Sequence, residues 1–176
     1  MQKHFETSAI VERAQALYFS RRFGVRFAHL PQGPGICGDY EILETSYQTR
    51  ELEKKLGFPL LGRYIEFKND KTSLQYNSFY VEFEQTSDFW YSRKPSGHEL
   101  ASTKGCVLII SSGSRCFVFN RGAYIEFVKG VTRVATTKYC SNGNPPGCFT
   151  RGKIVPIDRA METASFLYNM SQEPSA

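Results

Sequence analysis

The chain has 176 residues, 41% of them hydrophobic and 22% charged, which is long enough to bury a core and too apolar for a disordered polymer. No run approaches the roughly 20 apolar residues needed to cross a bilayer, and the first residues lack the apolar stretch of a secretory signal, so a cytoplasmic protein without membrane association is expected. The net charge of +5 is uneven: residues 1–88 hold 11 Lys/Arg and 12 Asp/Glu, whereas residues 89–176 hold 11 and 5, which suits acidic chemistry in the first half and a polyanion-binding surface in the second.

The first predicted element is a helix capped by Thr7 or Ser8 and stopped by Gly24, with Ile10, Val11, Ala14, Leu17 and Tyr18 on one apolar face. On that wheel Glu12 falls roughly opposite the stripe, facing solvent. A Pro/Gly loop at 31–35 leads into a strand over 36–43 that holds Asp39, and a helix over 50–56 ends at Gly57 and Pro59. Strands follow at 64–68 and at 78–85, where Phe79, Val81 and Phe83 alternate with Tyr80, Glu82 and Glu84. Residues 105–111 read as a buried strand, and 115–120 with 123–129 as a hairpin turned at Asn120-Arg121-Gly122. After a loop at 141–148 come a short strand at 153–157 and a closing helix from 159 to about 169. The sum is an α/β (α+β) domain over 1–170, a central mixed β-sheet flanked by helices, with a flexible tail at 171–176.

Five cysteines, an odd number without C-x-x-C spacing, do not make a zinc framework; Cys106 and Cys116 are expected as reduced thiols in core strands. The chemistry concentrates elsewhere. Asp39 lies in Gly38-Asp39-Tyr40-Glu41, and Glu66-Phe67-Lys68 places a carboxylate and an amine two residues apart, on one face of a strand. Two carboxylates from neighbouring strands, with the Phe67 carbonyl as a third oxygen, can hold Mg²⁺ or Mn²⁺. Lys68 beside the attacking water can orient it, lower its pKa or neutralise the transition state. An E-x-K triplet alone also describes an ordinary salt bridge on a solvated strand.

The ordered set of motifs is more specific. Asp39, then Glu66-Phe67-Lys68-Asn69-Asp70, then Asn77 with Glu82, then Lys94-Pro95-Ser96-Gly97, then Thr103-Lys104 before an apolar strand, and Lys153-Ile154-Val155-Pro156-Ile157 at the close, resembles a group of phage and prophage PD-(D/E)XK nucleases over roughly residues 36–157. The resemblance implies a restriction-endonuclease-like fold, a site in host-cell cytoplasm, and a Mg²⁺- or Mn²⁺-dependent endonuclease acting on DNA. In that scheme Asp39 and Glu66, with Phe67 through its carbonyl, bind metal, Lys68 assists the water, and Glu82 is an auxiliary catalytic carboxylate. Two departures are evident. The family's Ala-Asp after the Thr is Gly105-Cys106 here, and the long gap from Asp39 to Glu66 leaves Glu41 and Glu44 as competitors of Asp39.

Ten Lys/Arg against two acids between residues 93 and 153 suit phosphate contacts, with Arg93, Lys94, Ser96 and Lys104 closest to the motifs. No helix-turn-helix, zinc-finger or RNA-binding signature accompanies them, so structure or backbone, rather than base sequence, is the expected determinant. Branched or single-stranded DNA is the expected partner, and the resemblance admits a junction resolvase working as a homodimer. An RNA endonuclease, or a nuclease fold that binds nucleic acid without cutting it, remains the alternative.

Overall fold

The computed structural model describes residues 2–31, 38–87, 90–95, 106–138 and 148–172, with side chains described over 10–31, 38–84, 106–136 and 149–172. Helix α1 (Gln2–Phe23) leads into strands β1 (Arg26–His29) and β2 (Tyr40–Glu44). A 3-10 turn (Tyr47–Thr49) and α2 (Arg50–Leu56) precede β3 (Tyr64–Asn69) and the single-turn α3 (Ser73–Tyr76). Then come β4 (Ser78–Ser87), β5 (Trp90–Pro95), β6 (Val107–Ser112), β7 (Arg115–Phe119) and α4 (Arg121–Val128). Strands β8 (Val134–Lys138) and β9 (Cys148–Pro156), helix α5 (Ile157–Thr163) and β10 (Phe166–Asn169) complete the described chain.

The strands form a six-stranded sheet in the order β1-β2-β3-β6-β7-β10 and a four-stranded sheet in the order β5-β4-β9-β8. In the first, β3 and β6 run parallel, from Ile65 opposite Val107 to Asn69 opposite Ser111, and the other neighbours are antiparallel. The class is therefore the expected one, α+β with a central mixed sheet flanked by helices. The expected single sheet is joined by a second, all-antiparallel one. Among the described residues no helix is long and apolar enough to cross a membrane.

Strand alternation divides the core in two. Ile65, Phe67, Val107 and Ile109 face α1 and α2, packing with Phe19, Phe23, Leu52 and Leu56. Leu108, Ile110, Phe117 and Phe119 point the other way, onto Phe79 and Val81 of β4, Val155 of β9, and Tyr124, Phe127 and Ala160 of α4 and α5. The central sheet is thus covered on both faces, which explains why β6 is buried from end to end.

Several sequence expectations are corrected. The first helix begins at Gln2 rather than at a Thr7 or Ser8 cap, although Gly24, with φ of 60°, stops it as expected. Its buried face is Gln15, Ala16, Phe19 and Phe23, while Ile10 and Leu17 of the expected stripe are 66% and 53% exposed. The rings decide the rotation. Phe19 packs against Phe23 and edge-on to Phe67, and Phe23 lies edge-on to Phe166 and Tyr168, burying more surface than the aliphatic stripe offers.

The expected hairpin over 115–129 is instead β7 followed by α4. Asn120 caps that helix, its Oδ1 accepting from Ala123 N at 2.8 Å, and Tyr124 and Phe127 point inward. The true hairpin is β6–β7, turned at Gly113 with φ of 61°. The expected terminal helix breaks after Thr163, and β10 pairs along β7. Strand alternation in β4 also fails after Glu82. A register shift between Glu82 and Glu84 buries Glu84, which faces Arg151 at 3.7 Å. Cys106 and Cys116 are buried in the core as expected. The last residues, 173–176, lie outside the described chain, while Tyr18 Oη donates to the carbonyls of Asn169 and Gln172.

Candidate active site

Gly38 begins the site. Its φ of 86° is left-handed, and a Cβ there would stand 2.9 Å from the Ile65 carbonyl oxygen, so only glycine lets the chain pass this close to β3. The approach sets Asp39 N on the Ile65 carbonyl at 2.7 Å and lets Asp39 Oδ2 accept from Phe67 N at 2.9 Å. Asp39 occupies the bend just before β2 rather than the strand interior expected from sequence. In a strand the N–H and C=O of one residue lie along the same edge, so the Phe67 carbonyl also belongs to the edge where β2 has ended.

Glu66 and Lys68 share the opposite face of β3 from Phe67 and form an ion pair, Nζ to Oε1, at 2.5 Å. The Glu66 side chain is 9% exposed and that of Lys68 32%, so this is an edge-of-core pair rather than a solvated salt bridge. Burial pushes the Glu66 carboxyl above the usual range; Lys68 opposes this and Asp39 adds to it. For Lys68, burial is the largest single influence and works against the charge. The carboxylates of Glu66, Asp39 and Glu12 outweigh it, and the ammonium is held more firmly protonated than in water.

Glu12 is the residue that the sequence reading missed. The true rotation of α1 turns it toward the site. Burial pushes its carboxyl up to about 7, with Lys68 and Lys71 opposing and Asp39 and Glu66 reinforcing the shift. The signal was present in the sequence, because Glu12 lies three and seven residues before Gln15 and Phe19, one helical face; the competing stripe of Ile10, Ala14 and Leu17 concealed it. One turn further on, Gln15 is fully buried and its Nε2 donates to Ser111 Oγ, while Ser111 Oγ lies 3.2 Å from Asn69 Oδ1. This polar bridge fixes α1 against the ends of β3 and β6.

Among the described residues, the charges acting on Glu66 and Lys68 are each other, Asp39 and Glu12. The competitors of Asp39 are not in this set: Glu44 is paired with Arg26, and Glu41 sits in β2 opposite Tyr64. Glu82 stands in the other sheet, on β4 opposite Gly152, and is not one of them either. Asp70, from the same motif, is structural. Its Oδ1 accepts from Thr72 N, Thr72 Oγ1 and Ser73 N, and its Oδ2 from Tyr80 N at 2.8 Å, tying β3, α3 and β4 together.

The four residues expected to contact nucleic acid are placed only in part. Arg93 and Lys94 lie in β5, where Lys94 pairs with Gln85, but their side chains, and all of Ser96 and Lys104, lie outside the described residues. Some of the basic stretch is engaged internally: Lys153 Nζ donates to Val128 O at 2.9 Å, Arg151 faces Glu84, and Lys129 pairs with Glu126.

A hard divalent cation wants oxygen donors. Asp39, Glu66 and the Phe67 carbonyl fit that requirement in kind, and water supplies the remaining positions in such sites. Among the described residues no three His, Cys, Asp or Glu side chains lie close enough to form a ready-made metal centre. Comparison of the chain with family models, with curated proteins and with solved structures finds no match.

Proposed function

We propose that the chain is a Mg²⁺- or Mn²⁺-dependent nuclease of the PD-(D/E)XK type that hydrolyses phosphodiester bonds in DNA. The observation that carries this reading is the convergence of Asp39, Glu66 and Lys68 at one edge of β3, with both carboxylates acting on a lysine kept cationic by them. A structural salt bridge needs one carboxylate. Two carboxylates around one amine at a partly buried edge carry excess negative charge, which a bound cation would offset.

Asp39, Glu66 and the Phe67 carbonyl would hold the metal ion, which when bound would polarise a water and offset charge on the phosphate. The remaining roles fall to the protein's own groups. With its pKa raised, Lys68 is not a general base; it donates hydrogen bonds to the attacking water and to the phosphoryl oxygens as negative charge grows on them. Water attacks phosphorus and releases its proton to solvent, one P–O ester bond breaks, and the leaving oxygen takes a proton from solvent. Asp39, accepting from the Phe67 amide, is held by β3 itself, so one of its oxygens is fixed.

The test is cleavage of plasmid and branched DNA with Mg²⁺ or Mn²⁺. Lys68→Ala and Glu66→Ala are each expected to lower the rate by a factor on the order of 10² or more, the usual effect of removing a charged group that acts in the transition state. Cleavage surviving both changes would remove this site from the mechanism.

A further inference from the structure

A cavity of about 500 Å³ opens beside Lys68, where the ends of β3 and β6 meet the start of β4. Resting on the nuclease reading above, we propose that this cavity receives an unpaired nucleobase, so that the substrate is a single strand or a branch point rather than continuous duplex.

Four observations support this. First, Lys68 belongs both to the candidate active site and to the cavity wall, so a strand whose phosphate lies at Lys68 has its neighbouring base within reach of the cavity. Second, the volume falls in the range of preformed ligand pockets, and a base enters such a space only after leaving its stack. Third, the lining is apolar and aromatic. Phe79 and Ile110 are buried, and Tyr76 and Tyr80 offer ring surface on which a base of any identity can stack. Tyr80 is held in place: its hydroxyl is 2.9 Å from Thr150 Oγ1, and its ring sits where a Cβ on Gly152 would meet it at 2.6 Å. Fourth, the cations are at hand. Lys71 joins Lys68 in the lining, and Arg133 lines a smaller cavity of about 170 Å³ that shares Tyr76, Phe79 and Tyr80 with the first. The acid in the wall, Asp70, has both oxygens committed to backbone amides and a hydroxyl, which holds the walls together and tempers its repulsion of phosphate.

The experiment uses the full chain in chelating buffer, so that binding is read without cleavage. Oligodeoxynucleotides carrying 2-aminopurine at successive positions are presented as single strands, forks and complete duplexes, beside a single-stranded RNA of the same sequence. Tyr76→Ala removes an exposed ring and Ala135→Leu fills the cavity; Tyr47→Ala, an exposed tyrosine elsewhere, is the control. Strands and forks are expected to bind at least tenfold more tightly than duplex, with a fluorescence change confined to one or two positions. Both cavity variants should weaken strand binding roughly ten- to a hundredfold and erase that change, leaving duplex binding and melting temperature as in wild type, while Tyr47→Ala alters nothing. Equal binding of duplex and strand, or a signal that survives both cavity variants, overturns the inference. Tighter binding of the RNA strand reassigns the nucleobase to RNA. In a parallel assay with Mg²⁺ or Mn²⁺ in place of chelator, cleavage of duplex that is indifferent to Tyr76→Ala and Ala135→Leu refutes the base pocket and keeps the nuclease. A cavity-dependent signal with no cleavage of any substrate keeps the pocket and refutes the nuclease.

Discussion

Glu12 shows how one side chain is tuned by neighbours far away in sequence. Its folded-state carboxyl titrates near 7, mainly through burial, whereas in the unfolded chain it titrates near the ordinary value of about 4.3. Between those values the folded protein holds a proton that the unfolded chain has released. The stability tied to this protonated carboxyl is therefore fully present below about pH 4.5 and is lost as pH rises through about 7. Glu12→Gln, which keeps the shape and removes the titration, should gain on wild type across that window by on the order of 1–2 kcal/mol in chelating buffer, then hold level. Urea midpoints at half-unit pH steps measure it; a difference that does not vary with pH would mean that Glu12 is solvated. The pairing of Glu66 with Lys68 was legible from sequence because they lie two apart in a strand whose face is fixed by Ile65 and Phe67. Glu12 was not, because its place depends on which of two neighbouring stripes of α1 packs, and that choice is made by Phe19 and Phe23 against rings contributed by β1, β3 and β10.

At the scale of elements, the segment after β7 is the instructive one. Residues 120–128 read equally as a turn and strand or as a capped helix, since Asn-Arg-Gly is a good turn and Tyr124 to Val128 has β-forming residues. The helix prevails because Asn120 serves two masters: Oδ1 caps α4 through Ala123 N, and Nδ2 donates to the Leu56 carbonyl at the end of α2, a contact no local pattern reveals. The helix's other end is closed from α5, where Arg159 donates to the carbonyls of Glu126, Phe127 and Lys129. Asn120→Ala should cost about 1–2 kcal/mol of stability, and Asn120→Asp, which keeps the cap and loses the donor to Leu56, should cost less. Chemical denaturation of the two variants decides whether the cap or the bridge between helices matters more; equal losses would assign the whole effect to the Leu56 contact. Strands β1, β5, β8 and β10 escaped the sequence reading for a related reason. Each is four to six residues long, and each is defined by the partner edge it covers rather than by a period of its own.

For the molecule as a whole, the proposed metal site and the fold's stability should be linked. If Asp39, Glu66 and the Phe67 carbonyl bind Mn²⁺ in the folded state only, the ion stabilises the protein by RT ln(1 + [L]/Kd), about 2.7 kcal/mol at a hundredfold excess over Kd. For a chain of this size that is a rise of several degrees in melting temperature, and it should vanish in Asp39→Ala and Glu66→Ala. A wild-type protein that binds nucleic acid without any such shift would point to a fold that holds its polymer and does not cut it. The central mixed sheet and its flanking helices were readable from the order of strands and helices. The second sheet was not, because its strands are recruited from either side of the six-stranded sheet's own β6 and β7, and periodicity says nothing about which edge a strand will join.

The parallel pairing of β3 with β6 has a kinetic consequence. Strands β1, β2 and β3 form an antiparallel meander of neighbours in sequence, so Asp39 and the Phe67 amide can meet early. Strand β6 joins β3 only by closing the span from Ile65 to Val107, across which the chain makes its excursion through β4 and β5, and such non-local closure is slow. Glu66 stands beside Leu108 on the face that β4 and β9 cover, so the burial that raises its pKa is complete only once β6 and the second sheet are both in place. The late barrier to folding thus includes the work of drying a cluster of like charges. Refolding of this chain should accordingly be fastest in mildly acidic buffer or with a divalent cation present, conditions that relieve the charge before the strand closes over it.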